Sequence, residues 1–144
     1  MQKVPDKLEM VQEAIVQIVL RHYPDVQGIY LFGSYGTEDE WPTSDIDIAL
    51  LLPPQQAKHP KHLALTPCHL ALLECLPHSV DLLNARQVST VMQIEIIQGK
   101  LIYCANEYAV DEFEMLTISY YQKLNEERRE ILEAFWLTGR AYDV

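Results

Sequence analysis

The chain has 144 residues, of which 49% are hydrophobic, and it carries a formal net charge of −10 at pH 7. This length predicts a single domain with a substantial core, and we see neither a bilayer-spanning apolar stretch nor the apolar region of a signal peptide. We therefore expect a soluble cytoplasmic protein without membrane contact. The acidic charge disfavours direct nucleic-acid binding and favours a basic partner.

Cysteine and histidine spacings give no sign of a zinc site. The three cysteines, Cys68, Cys75 and Cys104, form no C-x-x-C pair, which also disfavours a disulfide framework. Four histidines lie in the middle of the chain: His59, His62, His69 and His78. Their spacings match no zinc pattern, so we interpret them as surface residues.

Apolar periodicity and turn residues define the elements of the first half of the chain. Apolar side chains recur at helical spacing between Pro5 and Pro24, which predicts an amphipathic helix. The elements predicted after it are, in order, a buried strand at 29–32, a polar loop at 36–44, a strand at 45–52 and a mobile surface loop at 55–62.

The second half alternates helices with short strands. Thr66 and Ser89 are favourable N-cap residues, and Gly99 is a favourable helix stop. The predicted elements are a buried helix within 63–76, a strand at 79–83, a helix from 89 to 98, an edge strand at 100–104 and a long helix from about 107 to 137. This order predicts one domain, 1–144, of the α/β or α+β class, in which helices pack on a sheet.

Three aspartates suggest a metal site. Asp45 and Asp47 lie two residues apart in a predicted strand, so their side chains point to the same face. Asp81 lies in another predicted strand and completes a triad if the two strands are neighbours. Three such carboxylates suit Mg²⁺ and two-metal phosphoryl transfer. The Gly33-Ser34 turn offers backbone amides and a hydroxyl, which predicts a triphosphate between this turn and the acids.

These acids also have structural interpretations that the sequence leaves open. Asp45 and Asp47 can be solvent-facing residues of an edge strand, although aspartate is disfavoured in strands. Asp81 can be a turn or cap residue, because a single acid on a short strand often has that role.

The spacing of Gly33-Ser34, ten residues and then Asp45-x-Asp47 resembles the signature of the nucleotidyltransferase superfamily, whose sheet is similar to the palm of polymerase beta. The segments SDID, VDLL and GKLIY, the chain length and the long C-terminal helix resemble the minimal MNT-type nucleotidyltransferases. The resemblance implies a small mixed β-sheet flanked by helices, with a catalytic core at about 28–83.

The MNT-type proteins are antitoxins paired with a HEPN-domain ribonuclease toxin. The resemblance implies a protein adenylyltransferase that transfers AMP from ATP to a tyrosine hydroxyl of that toxin. It also implies that Asp45 and Asp47 hold Mg²⁺, two ions being expected, and that Asp81 is a third metal-binding carboxylate that activates the acceptor hydroxyl. By the same resemblance, Gly33 and Ser34 hold the β- and γ-phosphates.

The chain departs from the family pattern at one position. Many relatives carry an arginine just after the Gly-Ser pair, whereas this chain has Tyr35. Neutralisation of the triphosphate then rests more on magnesium, or on a cation elsewhere such as Arg86.

Two other functions remain open. One is a non-catalytic antitoxin that neutralises its toxin by binding alone. The other is nucleotidyl transfer to a small-molecule hydroxyl, which is disfavoured because the sequence shows no second domain to form an acceptor pocket.

The predicted C-terminal helix carries more aromatic side chains than one helix face easily buries in so small a protein. They are Tyr120, Tyr121, Phe135 and Trp136. We divide these residues equally between two interpretations, a core face and a partner-docking surface.

Overall fold

The computed structural model describes residues 7–33, 45–55, 63–76 and 78–138. Within these ranges the elements are, in order, α1 (Lys7–His22), β1 (Gly28–Phe32), β2 (Ile46–Leu51), α2 (Pro67–Cys75), β3 (Val80–Asn84), α3 (Thr90–Gln98), β4 (Lys100–Cys104) and α4 (Glu107–Thr138). The strands form one sheet in the order β3-β2-β1-β4. β1 pairs antiparallel with β2 and β4, and β2 pairs parallel with β3. This mixed sheet with flanking helices confirms the predicted fold class.

Both predicted helix caps are present. Thr66 Oγ1 accepts a hydrogen bond from the His69 amide at 3.3 Å, and Pro67 is the first residue of α2. Ser89 Oγ accepts one from the Met92 amide at 3.2 Å, and α3 ends at Gly99. These bonds satisfy amides that the first turn of a helix leaves unpaired, which is why local sequence predicts both helix starts.

The predicted strand ends are accurate to within one or two residues. β2 begins at Ile46, so Asp45 directly precedes the strand, and β3 extends one residue beyond the predicted 79–83. The loop predicted at 36–44, and the loop predicted at 55–62 apart from its first residue, lie outside the described residues. No helix in the described part of the chain combines the length and apolarity needed to cross a membrane.

Alternate strand residues fill two hydrophobic clusters, one on each face of the sheet. α1 and α2 cover the face to which Ile46 and Ile48 contribute. α3 and α4 cover the face to which Tyr30, Ala49 and Leu51 contribute. Side chains two residues apart share a face, so Asp47 points to the side covered by α3 and α4.

α3 ends against the last residues of β1. A Cβ on Gly99 would lie 2.6 Å from the Leu31 carbonyl oxygen and 2.9 Å from Phe32 Cα, and these backbone atoms belong to a paired strand. We expect Gly99→Ala to lower the free energy of unfolding by about 1–3 kcal/mol in denaturant titrations. Gln98→Ala, at the exposed neighbouring position, should change it by less than about 0.5 kcal/mol. Equal stabilities for the two variants would contradict this packing.

Candidate active site

The structure brings two of the predicted acids together and places the third beside them. Asp47 and Asp81 are register partners across the parallel β2–β3 pair, so the two strands are neighbours, as the predicted triad requires. Asp81 is exposed between the buried residues Val80 and Leu82. Asp45 directly precedes β2 and is exposed. All three acids therefore lie at the end of the sheet where β2 and β3 begin.

The Asp47 carboxyl group is crowded by negative charge. Burial raises the pKa of Asp47 to about 6, together with the charge of Asp81 and a hydrogen bond to it, and the charges of Asp45 and Glu95 act in the same direction. A hydrogen bond between two carboxyl groups requires a proton on one of them. The pair therefore retains a proton to higher pH than a solvated aspartate does.

Gly33 occupies the turn beside this pair. Its φ of +79° lies in the left-handed region, which glycine adopts without a steric penalty. A Cβ at this position would overlap Asp47 Oδ2 and would lie 3.2 Å from Asp47 Cγ. Glycine is thus needed both for the turn and for the position of the Asp47 carboxylate. Ser34 lies outside the described residues, so its phosphate contact stays a prediction.

Glu95 of α3 is an acid near the site that sequence reasoning missed. Its charge acts on Asp47, and the end of its helix rests on Leu31 and Phe32 at the same end of the sheet. The available signal was the position of α3 directly before β4. Using that signal requires the knowledge that β4 pairs with β1, and no local pattern shows this pairing.

The structure corrects the interpretation of Arg86 as a triphosphate-neutralising cation. Arg86 Nε donates to the Leu52 carbonyl at 2.7 Å, and a terminal guanidinium nitrogen donates to Gln27 Oε1 at 2.6 Å. Leu52 follows the far end of β2, roughly 17 Å along the strand from Asp47 at 3.3 Å per residue. Arg86 therefore ties together the opposite end of the sheet.

His69 is half-buried and has a structural role. Its Nδ1 accepts the Leu65 amide at 3.0 Å, so its Nε2 carries the proton and donates to the Val80 carbonyl at 2.7 Å. The ring thereby fastens α2 to the start of β3. His59 and His62 lie outside the described residues.

The chemistry of the acids fits a hard divalent cation. Among the described residues, no three His, Cys, Asp or Glu side chains are already arranged as a complete metal-binding set. Burial is the main cause of the raised pKa of Asp47, and the nearby carboxylates of Asp81, Asp45 and Glu95 add to it; a divalent cation would neutralise this charge. Asp47 and Asp81 are thus the pair on which a Mg²⁺ site would be built, with Asp45 adjacent.

This sheet, with its acids and the glycine turn at one end, has the architecture of a nucleotidyltransferase. Residues 13–108, more than half of the chain, match the family described as "Polymerase beta, Nucleotidyltransferase", and the chain belongs to that family.

The chain is also similar to one curated protein and to solved structures of toxin–antitoxin complexes. The chain is 33% identical over 123 residues to Protein adenylyltransferase MntA of Shewanella oneidensis, and the match covers 85% of each protein. A crystal structure of a toxin–antitoxin complex with AMP-PNP matches with a TM-score of 0.70 and 32% identity, over 87% of this chain and 98% of that chain. A structure of tri-AMPylated Shewanella oneidensis HEPN toxin with MNT antitoxin matches with a TM-score of 0.64 and 29% identity, over 88% of this chain and 97% of that chain.

Proposed function

We propose that this chain is the antitoxin of a toxin–antitoxin pair and acts as a protein adenylyltransferase. It transfers AMP from ATP to a tyrosine hydroxyl of a HEPN-domain ribonuclease toxin and thereby neutralises it. The observation that carries the proposal is the Asp47–Asp81 carboxyl pair, held in register beside the Gly33 turn. The similarity to MntA and to the AMPylated toxin complex supports the choice of a protein acceptor.

The reaction is a displacement at the α-phosphorus of ATP. The tyrosine oxygen forms a bond to this phosphorus, the bond from the phosphorus to the bridging oxygen breaks, and pyrophosphate leaves. Asp45 and Asp47 hold Mg²⁺, which supplies charge neutralisation when bound, and we propose two ions. Asp81 is the third carboxylate of the metal site and activates the acceptor hydroxyl by accepting its proton as the oxygen bonds to phosphorus. The Gly33 and Ser34 turn holds the β- and γ-phosphates through its amides and hydroxyl.

Electrostatics favour a basic acceptor protein. The chain has a net charge of −10, which attracts a cationic partner at low ionic strength. Because Asp47 has a pKa of about 6, it is mostly ionised at pH 7 and is then able to bind a cation. Cytoplasmic pH therefore suits the proposed site.

Intact-mass spectrometry tests the proposal directly. The chain is incubated with ATP, Mg²⁺ and the toxin encoded beside it, and both proteins are weighed. We expect the toxin to gain one or more AMP masses, and we expect no gain when EDTA is present. A stable complex without a mass change would favour neutralisation by binding alone. If the two proteins form no complex and neither changes mass, nucleotidyl transfer to a small-molecule acceptor is favoured.

Asp47→Asn should stabilise the protein when no metal is added. A carboxyl group whose folded-state pKa is raised stabilises the fold at low pH, and this contribution is lost as the pH rises through about 6. At pH 7.5 we expect Asp47→Asn to gain about 1–2 kcal/mol, a value reduced for solvent screening of a half-exposed group. Near pH 4 the gain should largely vanish.

Urea titrations of both proteins at the two pH values, in EDTA, provide the measurement. Glu74→Gln, which replaces an exposed carboxylate on α2, is the control for the loss of one negative charge and should change the free energy of unfolding by less than about 0.5 kcal/mol. A gain for Asp47→Asn that is equal at both pH values would contradict the coupling between Asp47 and Asp81.

A further inference from the structure

The helix α4 continues its core-facing stripe beyond the core. Val110, Phe113 and Thr117 are buried against the sheet and α3, and their spacing marks one helix face. Leu124 lies seven residues after Thr117 on that face, and Ile131 lies seven further. Within the described part of the chain, no α4 residue after Thr117 is buried. The apolar face of α4 therefore continues beyond the residues that the sheet and α3 cover.

The uncovered part of this face carries mostly apolar side chains. We call it the distal stripe, and its members are Tyr120, Tyr121, Leu124, Ile131 and Leu132. Ile131 is 49% exposed and Leu132 is 57% exposed. Glu126, Glu130 and Glu133 occupy the opposite face.

The stripe begins near β3, the edge strand that carries Asp81, but at the opposite end of that strand. Thr117 and Tyr120 line a cavity of about 120 Å³ together with Arg86 and Gln93. Arg86 follows β3, and β3 is the edge strand that carries Asp81. Asp81 is the acid that the proposed function assigns to the acceptor hydroxyl. Arg86 lies five residues after Asp81, so a protein bound to the stripe reaches Asp81 by extending roughly 17 Å along the exposed β3 edge, at 3.3 Å per residue.

We infer that the distal stripe is the surface that docks the acceptor protein, a basic protein with an apolar groove. This inference rests on the proposed function. A second copy of the chain fits poorly, because each copy carries a net charge of −10. Arg128 also lies on the same face, between Leu124 and Ile131, and would meet its own counterpart in a parallel, in-register pair of helices. The acidic protein surface instead complements a cationic partner.

The test is the substitution Ile131→Glu, because it places a charge within the apolar stripe at a half-exposed position. We expect the Kd for the toxin and the KM for the toxin in AMP transfer both to rise by about 30-fold or more, as for an interface hot spot. The kcat should stay within about threefold of the wild-type value. The thermal shift caused by Mg²⁺ and ATP should be unchanged.

Two variants serve as matched controls. Met115→Glu makes the same charge change on α4 at a residue that is 70% exposed and lies on the opposite face, and it should leave Kd and KM unchanged. Ile131→Leu retains an apolar side chain and should stay within about threefold of the wild type.

The outcomes separate this inference from the proposed function. If the wild type binds the toxin through the stripe but transfers no AMP, the proposed function fails and the docking surface stands. If Ile131→Glu modifies the toxin with unchanged KM, the inference is overturned. If light scattering shows a wild-type dimer that Ile131→Glu dissociates, the stripe belongs to a second copy, which also overturns it.

Discussion

The double variant Asp45→Asn/Asp47→Asn is expected to lose AMP transfer to the toxin by roughly a thousandfold or more, while the complex with the toxin stays nearly intact. Asparagine preserves side-chain volume but removes both negative charges next to Asp81. Metal ions contribute several kcal/mol of transition-state stabilisation to phosphoryl transfer, which corresponds to a loss of this size. The measurement is the initial rate of AMP incorporation by intact mass, together with the Kd of the complex.

The control for this variant removes the same charge elsewhere. Glu13→Gln/Glu74→Gln replaces two exposed carboxylates on α1 and α2, which cover the other face of the sheet, and should leave the rate unchanged. Neutralisation of the toxin in cells gives the decisive comparison. If the double aspartate variant still protects cells as well as the wild type does, binding rather than catalysis is the main antitoxin activity.

Local sequence patterns predicted the parts of the site that depend on neighbours along the chain. The alternation of Asp47 between Ile46 and Ile48 fixes the face of its side chain. Thr66 and Ser89 predicted helix starts because capping bonds span three residues. In each case the information lies within a few positions of the residue concerned.

The parts that sequence did not predict depend on pairing between distant segments. The neighbouring positions of Asp47 and Asp81 were conditional on the unknown strand order, and the parallel β2–β3 register supplies it. Arg86 was interpreted from its charge alone, whereas its bonds to Leu52 and Gln27 join segments 34 and 59 residues away. Glu95 reaches the site because the end of α3 rests on β1. Charge and periodicity carry no information about such contacts.

Gly33→Ala is expected to reduce AMP transfer by about a hundredfold while it lowers stability much less than a core substitution does. The new Cβ would overlap Asp47 Oδ2, which lies at the end of a side chain that rotates aside easily. The structural cost is therefore mainly that of an alanine at φ +79°, about 1–2 kcal/mol. The functional cost is larger, because a displacement near 1 Å in a catalytic group lowers rates by about this factor.

Two further substitutions separate these effects. Gly33→Asn tolerates the left-handed backbone better than alanine does but also carries a Cβ, so it should regain stability without regaining activity. Gly28→Ala adds a Cβ 3.0 Å from Val110 Cγ2 at the other end of β1, and it should cost stability but leave the rate of AMP transfer unchanged. If the rate of AMP transfer falls in proportion to the loss of stability in Gly33→Ala, Gly33→Asn and Gly28→Ala alike, Gly33 has a structural role only. Rates that fall in both Gly33 variants and not in Gly28→Ala would show that the Gly33 turn holds Asp47 in its reactive position.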